Sequence, residues 1–304
     1  MRDNNLLNIT WLCRIAQVSR SGYYAWKERR NKRKEREIKD QSDFELILAA
    51  YQKRGYKKGS RGIHMTLLQK GIVMNRKKIQ RLMRKFNLVC PIRKANPYRR
   101  MAKAKQESVT KPNVLDRQFK AHGAQSVLLT DITYLFYGRG KKAYLSTIKD
   151  AYTHQILSYV LSDSLEVDFV LETIELLMDN HSIPKNRKTL IHSDQGIHYT
   201  SMKFQTLVDN HELRQSMSRR GNCWDNAPQE SFFGHMKDEL PPLGAIDSFD
   251  ELSLVVDDYM DYYNNDRYQW GLAKLSPNQY ADFIKTGDYP LKNLVQTPRL
   301  PQLA

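Results

Sequence analysis

The chain has 304 residues, enough to bury a sizeable core and to form more than one compact unit. Its 40% hydrophobic content includes no apolar run near the ~18 residues of a membrane span, and MRDNNLLNITWLCRIAQ, with Asp3 and two Asn ahead of a short apolar stretch, does not read as a secretory leader. The formal net charge of +16 is concentrated in front: residues 1–110 hold 29 Lys+Arg against 8 Asp+Glu, and no acid lies between Glu45 and Glu107.

Such a front half repels itself unless it binds a polyanion, so nucleic acid is the expected partner and an anionic membrane a weaker second. The expected compartment is the cytoplasm, in association with the nucleoid. Cys13, Cys90 and Cys223 are too far apart for a disulfide framework or a structural zinc site, and the eight His contain no H-E-x-x-H.

Residues 1–36 read as an N-terminal helical segment. Leu7, Trp11, Ile15 and Val18 have helical spacing, Ser-Arg-Ser-Gly follows as a turn, and ERRNKRKEREIKDQ is a solvated helix or a linker. Residues 37–92 read as a helix-turn-helix-type unit. DFELILAAYQKRG is an amphipathic helix ending at Gly55. SRGIHMTLLQKG is a second, capped by Ser60 and stopped by Gly71. NRKKIQRLMRKFNL is a third, with Asn75 as N-cap and Ile79, Leu82, Met83 and Phe86 as one apolar stripe. The alternative is a generic three-helix bundle with a solvated basic face. The lack of acids after Glu45 favours DNA binding, with Arg76, Lys77, Lys78, Arg81 and Arg84 as candidate phosphate contacts. Residues 93–121 read as a basic, extended linker broken by N-P and K-P.

Residues 122–285 change character. SVLLTDITYLFY, KAYLSTIKDAY and QILSYVLS form a three-strand meander, EVDFVLETIELLMDN a helix, KTLIHSD a fourth strand, SMKFQTLVDNHEL a helix and RQSMS a fifth strand. A glycine-led loop and a helix follow in GNCWDNAPQESFFGHMKDEL, then a helix in DSFDELSLVVDDYMDYYNN. SPNQYADF is a last short helix, capped by Ser276 with Pro277 at its first position, and residues 286–304 are a C-terminal tail. The order β-β-β-α-β-α-β-α implies an α/β fold, a mixed five-stranded sheet flanked by helices.

Two Asp are out of place in strands. Asp131 interrupts VLLTDITYL, and Asp194 stands where LIHS ends. A turn accounts for Asp194, but a mid-strand carboxylate needs a partner such as a metal. Asn226-x-x-Gln229 resembles a capping box, so a helix starting near Ala227 carries Glu230 in its first turn, with Phe233 and Lys237 on the same face. Asp225 reads as a turn or cap acid, Asp238 and Glu239 as solvated helix-end charges, and the Phe232–Phe233 pair as what packs the helix on the sheet. Two strand carboxylates and one helix carboxylate can converge at a sheet edge. Oxygen-only ligands select Mg²⁺ or Mn²⁺, and two such ions serve phosphoryl displacement. Together with a DNA-binding front half, this points to a nuclease or a strand transferase.

TDITY, IHSDQGIHYTS and DNAPQESFFGHMK resemble the DDE transposases of bacterial insertion sequences with two overlapping reading frames, whose core has the retroviral-integrase, ribonuclease-H-like fold. Asp194 and Glu230 have 35 residues between them, the spacing of that group. YYNNDRYQWGLAKLSPNQY resembles its closing motif, and CRIAQVSRSGYYAW and RGYKKGSRGIHMTLLQKGIVMNRKKIQRLMRKFNL its helical segments. The resemblance spans about residues 10–285. It departs at Leu128, where tryptophan is frequent, and at Asp150-Ala-Tyr-Thr-His154, where Asp-x-x-Ser-Arg is expected. Asp150 is therefore read as structural.

The resemblance implies that Asp131, Asp194 and Glu230 are the catalytic triad holding two Mg²⁺ or Mn²⁺ ions, and that Lys237 contacts DNA near them. It implies a DDE-type polynucleotidyl transferase that cleaves the terminal inverted repeats of an element and joins them to target DNA, in transposition, integration and recombination. It also implies a homo-oligomer on DNA, at least a dimer, and a downstream-frame product with the upstream-frame product as a further partner. His192 is either a group orienting Asp194 or a satisfied strand histidine. Trp224 either stacks on an end base or packs its loop. Tyr199, Tyr263 and Tyr268 read as core or loop aromatics. The alternatives are a metal-dependent nuclease without joining activity and an inactive DNA-binding relic.

Overall fold

The basic front half begins with α1 (Ile9–Ile15), capped by Asn8, and α2 (Arg20–Gln52), capped by Ser19 accepting from the Gly22 amide. Ser-Arg-Ser-Gly is therefore the entry of a helix and not a connecting turn. The chain is described here from a computed structural model over residues 8–56, 58–91, 111–119, 122–184, 188–219 and 223–299. The charged stretch 28–41 is solvated helix, and α2 runs unbroken through residues 36 and 37. α3 (Ser60–Gln69) and α4 (Arg76–Lys85) complete the helical unit. Ser60 is the first helical residue of α3, after an N-cap at Gly59. Asn75 caps α4 as its sequence predicts. Ile47 and Ala50, Ile63 and Leu67, and Ile79, Leu82 and Met83 close one core, and Phe44 stacks on Phe86 at 4.2 Å. Most of the expected linker, residues 92–110 and 120–121, lies outside the described residues.

β1 (Val127–Tyr137), β2 (Lys141–Asp150) and β3 (Ile156–Ser162) form the expected antiparallel meander. α5 (Asp168–Asn180) leads to β4 (Leu190–Ser193). α6 (Ile197–Thr200) and α7 (Met202–Asn210) lead to β5 (Arg214–Met217). The sheet order is β3-β2-β1-β4-β5, with β4 parallel to both β1 and β5. α8 (Ala227–Glu239), α9 (Phe249–Asn265) and α10 (Pro277–Thr286) follow, the last with a Ser276–Gln279 capping box and Pro277 in its first turn.

Period-two alternation sends successive strand residues to opposite faces. Leu128 and Ile148 pack with Phe169, Ile174 and Phe204 from α5 and α7. Leu135 and Leu145 pack with Phe232, Phe233, Tyr259 and Tyr263 from α8 and α9 on the other face. Both phenylalanines thus do what the sequence suggests. Residues 111–119 run beside β5: Met217 N donates to Pro112 O, and Val114 N donates to Ser216 Oγ. Asn264 of α9 exchanges two hydrogen bonds with the backbone of Ile156.

The helical unit meets the core at the end of α2. Arg54 ion-pairs with Asp258, Asp261 and Asp266, and Lys53 with Asp266. Tyr56 stacks on Tyr262 at 4.0 Å and donates to Asp258. Arg54→Gln should lower the thermal midpoint by a few degrees, on the order of 1 kcal/mol for a partly exposed network. An unchanged midpoint in a melting experiment would remove Arg54 as the joint.

Candidate active site

Asp131 lies in the middle of the central strand, opposite Thr147 of β2. Its Oδ1 accepts from the Ile132 amide at 2.8 Å. Burial pushes its carboxyl up to about 8, the Asp194 charge adds to this, the Ile132 amide opposes it, Glu230 adds further and Lys237 opposes.

β4 delivers Asp194. The β1–β4 ladder pairs Leu129 with His192, and continuing that register by two residues brings Asp194 opposite Asp131. Asp194 Oδ1 accepts from Gly196 N at 2.8 Å, which turns the chain away from the strand. A Cβ on Gly196 would stand 2.9 Å from that oxygen, so a larger residue there would push the Asp194 carboxylate aside. Desolvation raises the Asp194 carboxyl, against the Gly196 amide and His198.

α8 delivers Glu230 in its first turn, at the start predicted from sequence. The predicted capping box does not form, because both side chains reach the sheet instead. Asn226 Nδ2 donates to Thr130 O at 3.5 Å, and Gln229 Nε2 donates to Thr147 Oγ1. Lys237 shares the Glu230 face, and the Asp131 charge opposes the lowering that desolvation imposes on its ammonium. Among the described residues, no three His, Cys, Asp or Glu side chains are gathered tightly enough to hold a metal ion. The three acids are electrostatic neighbours, not a closed ligand shell.

His192 takes the second of its two readings, the satisfied strand histidine, while other neighbours have roles that the sequence did not suggest. His192 does not orient Asp194. Its nitrogens bond Ser216 Oγ at 3.0 Å and Ser218 Oγ at 3.1 Å, and burial pushes it down to about 4, so it is a neutral strand histidine facing β5. Asp225 is not a simple cap. It is 1% exposed and bonds Arg219, Arg117 and Asn113, tying residues 111–119 to the loop before α8. Those cations hold its carboxyl well below the usual range. Glu239 is not solvated: it is buried, paired with Arg267 at 2.7 Å and accepting from Tyr259. Lys149 of β2 is 3% exposed and donates to Pro228 O at 2.9 Å. These partners lie far away in sequence, so spacing alone could not find them.

Asp150 is structural, accepting from the Tyr152 and Thr153 amides and from Thr153 Oγ1. Tyr199 and Tyr263 are buried, and Tyr268 lies beside Lys53. The Trp224 side chain lies outside the described residues. Of the candidate phosphate contacts, Lys78 pairs with Asp43 and Arg81 forms a two-pronged pair with Asp40, so their charges also bind α4 to α2. Arg84 Nε donates only to Gln80 O within its own helix, and no acid is paired with Arg76 or Lys77 among the described residues.

Known families and proteins match these units. The Integrase core domain family matches residues 121–223 and, in a second form, 230–282. The HTH-like domain family matches residues 37–96. The transposase InsK of insertion sequence element IS150 from Escherichia coli K12 is 34% identical over 274 residues, covering 89% of this chain and 92% of its own. A 31 kDa protein of insertion element IS600 from Shigella sonnei is 29% identical over 89% of this chain and 97% of its own. Among solved structures, the catalytic core domain of BIV integrase aligns with 54% of this chain and 98% of its own, at 14% identity and a TM-score of 0.41. With a helix-turn-helix-like unit ahead of an integrase core, and this likeness along nearly its whole length, the chain belongs to the insertion-sequence transposases, proteins of DNA transposition and integration.

Proposed function

We propose that the chain is a DDE-type polynucleotidyl transferase that cleaves DNA at the ends of its element and joins the freed ends to target DNA. Asp131, Asp194 and Glu230 form its catalytic triad. The observation that carries this reading is the placement of Asp131 in mid-strand, with Asp194 just past the end of the parallel neighbour β4 and Glu230 in the first turn of α8. Three hard oxygen donors that repel one another match a divalent cation in donor chemistry. Asp131, Asp194 and Glu230 would hold two Mg²⁺ or Mn²⁺ ions, which supply Lewis acidity and a more acidic bound water.

The chain's own residues do the positioning. β1 and β4 present two carboxylates at adjacent register positions, and α8 presents the third. Lys237, on the Glu230 face, attracts a backbone phosphate. Water attacks a phosphodiester at the element's end and leaves a 3′-hydroxyl. That oxygen bonds to a target phosphorus, the target's P–O3′ bond breaks, and the departing oxygen takes a proton. One phosphodiester replaces another, so joining needs no external energy source. Joining both ends to one target requires at least two copies on DNA, and the upstream-frame product is a further partner. The chain acts in the cytoplasm at the nucleoid.

Asp194→Asn should lower cleavage about 10³-fold or more, the scale of losing a charge-stabilising group, while DNA binding persists. Gel assays with Mg²⁺, labelled element ends and target duplex read both steps. Retained cleavage would exclude Asp194 from the triad, and cleavage without joined product would mark a nuclease.

Affinity for duplex DNA should fall steeply with salt. Replacing Arg76, Lys77 and Arg84 together by Gln should make the slope of log K against log salt shallower by about 2–3, at ~0.9 per phosphate contact. An unchanged slope would place the phosphate contacts elsewhere.

A further inference from the structure

Among the described residues no carboxylate forms an ion pair with the buried Lys149, although the Asp150 charge favours its ammonium. Lys149 is 3% exposed, and burial, with help from the Arg267 charge, pushes its ammonium down to about 7. The adjacent acid, Asp150, is engaged in the turn after β2. Lys149 instead donates to Pro228 O at 2.9 Å and lies 5.6 Å from the centre of the Phe232 ring. An apolar side chain of equal length would fill this space without the desolvation penalty, so packing alone does not account for a lysine.

The surroundings give the reason. Pro228 is in the first turn of α8, two residues before Glu230. The next residue, Gln229, is 0% exposed and donates to Thr147, which lies opposite Asp131 in the β1–β2 ladder. Lys149 is two residues beyond Thr147 on the same strand face. Consecutive residues of the α8 entry are thus tied to β2 at the Asp131 level and two residues to one side of it, opposite Leu129. The β1–β2 ladder is regular through Lys149, and the one-residue slip between β2 and β3 falls on β3 at Leu157, so Lys149 keeps the strand face of Thr147. α8 has no side-chain N-cap, so these ties to the sheet set where the helix begins.

We infer that Lys149, with Gln229, is a positioning residue that fixes the backbone of Glu230 relative to Asp131. The inference rests on the proposed triad. Neither side chain touches the reacting atoms. They act by holding the carboxylate-bearing turn, where a displacement of about 1 Å costs about a hundredfold in rate.

Lys149→Met in the full chain separates this from a merely structural role, because Met keeps much of the apolar length of the side chain and removes a charge that is costly to bury, offsetting the lost bond to Pro228 O. The thermal midpoint should hold or rise, and affinity for a duplex of the element's end should be unchanged. The rate at saturating DNA should fall about ten- to a hundredfold, and the Mn²⁺ concentration giving half that rate should increase. Lys149→Arg, which keeps a donor, should recover part of the rate, and Gln229→Leu should repeat the pattern of Lys149→Met. Wild-type rates in both Lys149→Met and Gln229→Leu would overturn the inference, as would a loss of rate that follows a lowered midpoint. Wild-type protein that neither cleaves nor joins DNA would overturn the proposed function itself.

Discussion

A carboxylate in the middle of the central strand is unfavourable to bury even in part, and Asp131 is half-buried there between the two apolar cores. Asp131 has one backbone amide for a partner and two further acids for neighbours. In an ordinary sheet such a residue would destabilise the fold or neutralise itself. Here parallel pairing brings Asp194 beside it, and α8 adds Glu230 and Lys237. The fold maintains this repulsion because the strand on either side is anchored by apolar residues, with Leu128 and Leu129 before Asp131 and Leu135 after it all buried.

α8 is the element that must not move, and it is held at both ends. At its entry, Asn226, Gln229 and Lys149 bind it to the sheet. At its exit, Glu239 meets Arg267 in a buried two-pronged pair. The closing motif YYNNDR acquires a physical meaning from this. Tyr263 packs edge-on against Phe232 at 4.7 Å, Asn264 engages the start of β3, and Arg267 holds Glu239. Three residues of one segment clamp α8 and the sheet together.

Local order was legible in the sequence. The strand order, the entry of α8 at Ala227, the Asn75 and Ser276 caps and the apolar stripe of α4 all follow from period and capping chemistry, which act within a few residues. The register bringing Asp131 and Asp194 together was legible only through the resemblance. Long-range pairing was not legible. Asp225 reads as a turn or cap acid and Glu239 as a solvated one until Arg117 and Arg267 arrive from other segments. The same holds for Lys78 and Arg81, whose partners Asp43 and Asp40 sit on the preceding helix. The capping box misled because the sheet competes for the same two side chains, and a tertiary partner outweighed a local one.

The segment beside β5 and the Asn264 amide on β3 have a common effect. A sheet of five strands has two rims, and each offers backbone groups to which a foreign strand could add. On β5, the segment around Pro112 and Val114 takes up backbone and side-chain positions along the rim. On β3, one asparagine imitates a neighbouring strand for Ile156. Addition of a second molecule's strand is thereby hindered at both rims, where the chain's own groups already occupy part of the backbone edge.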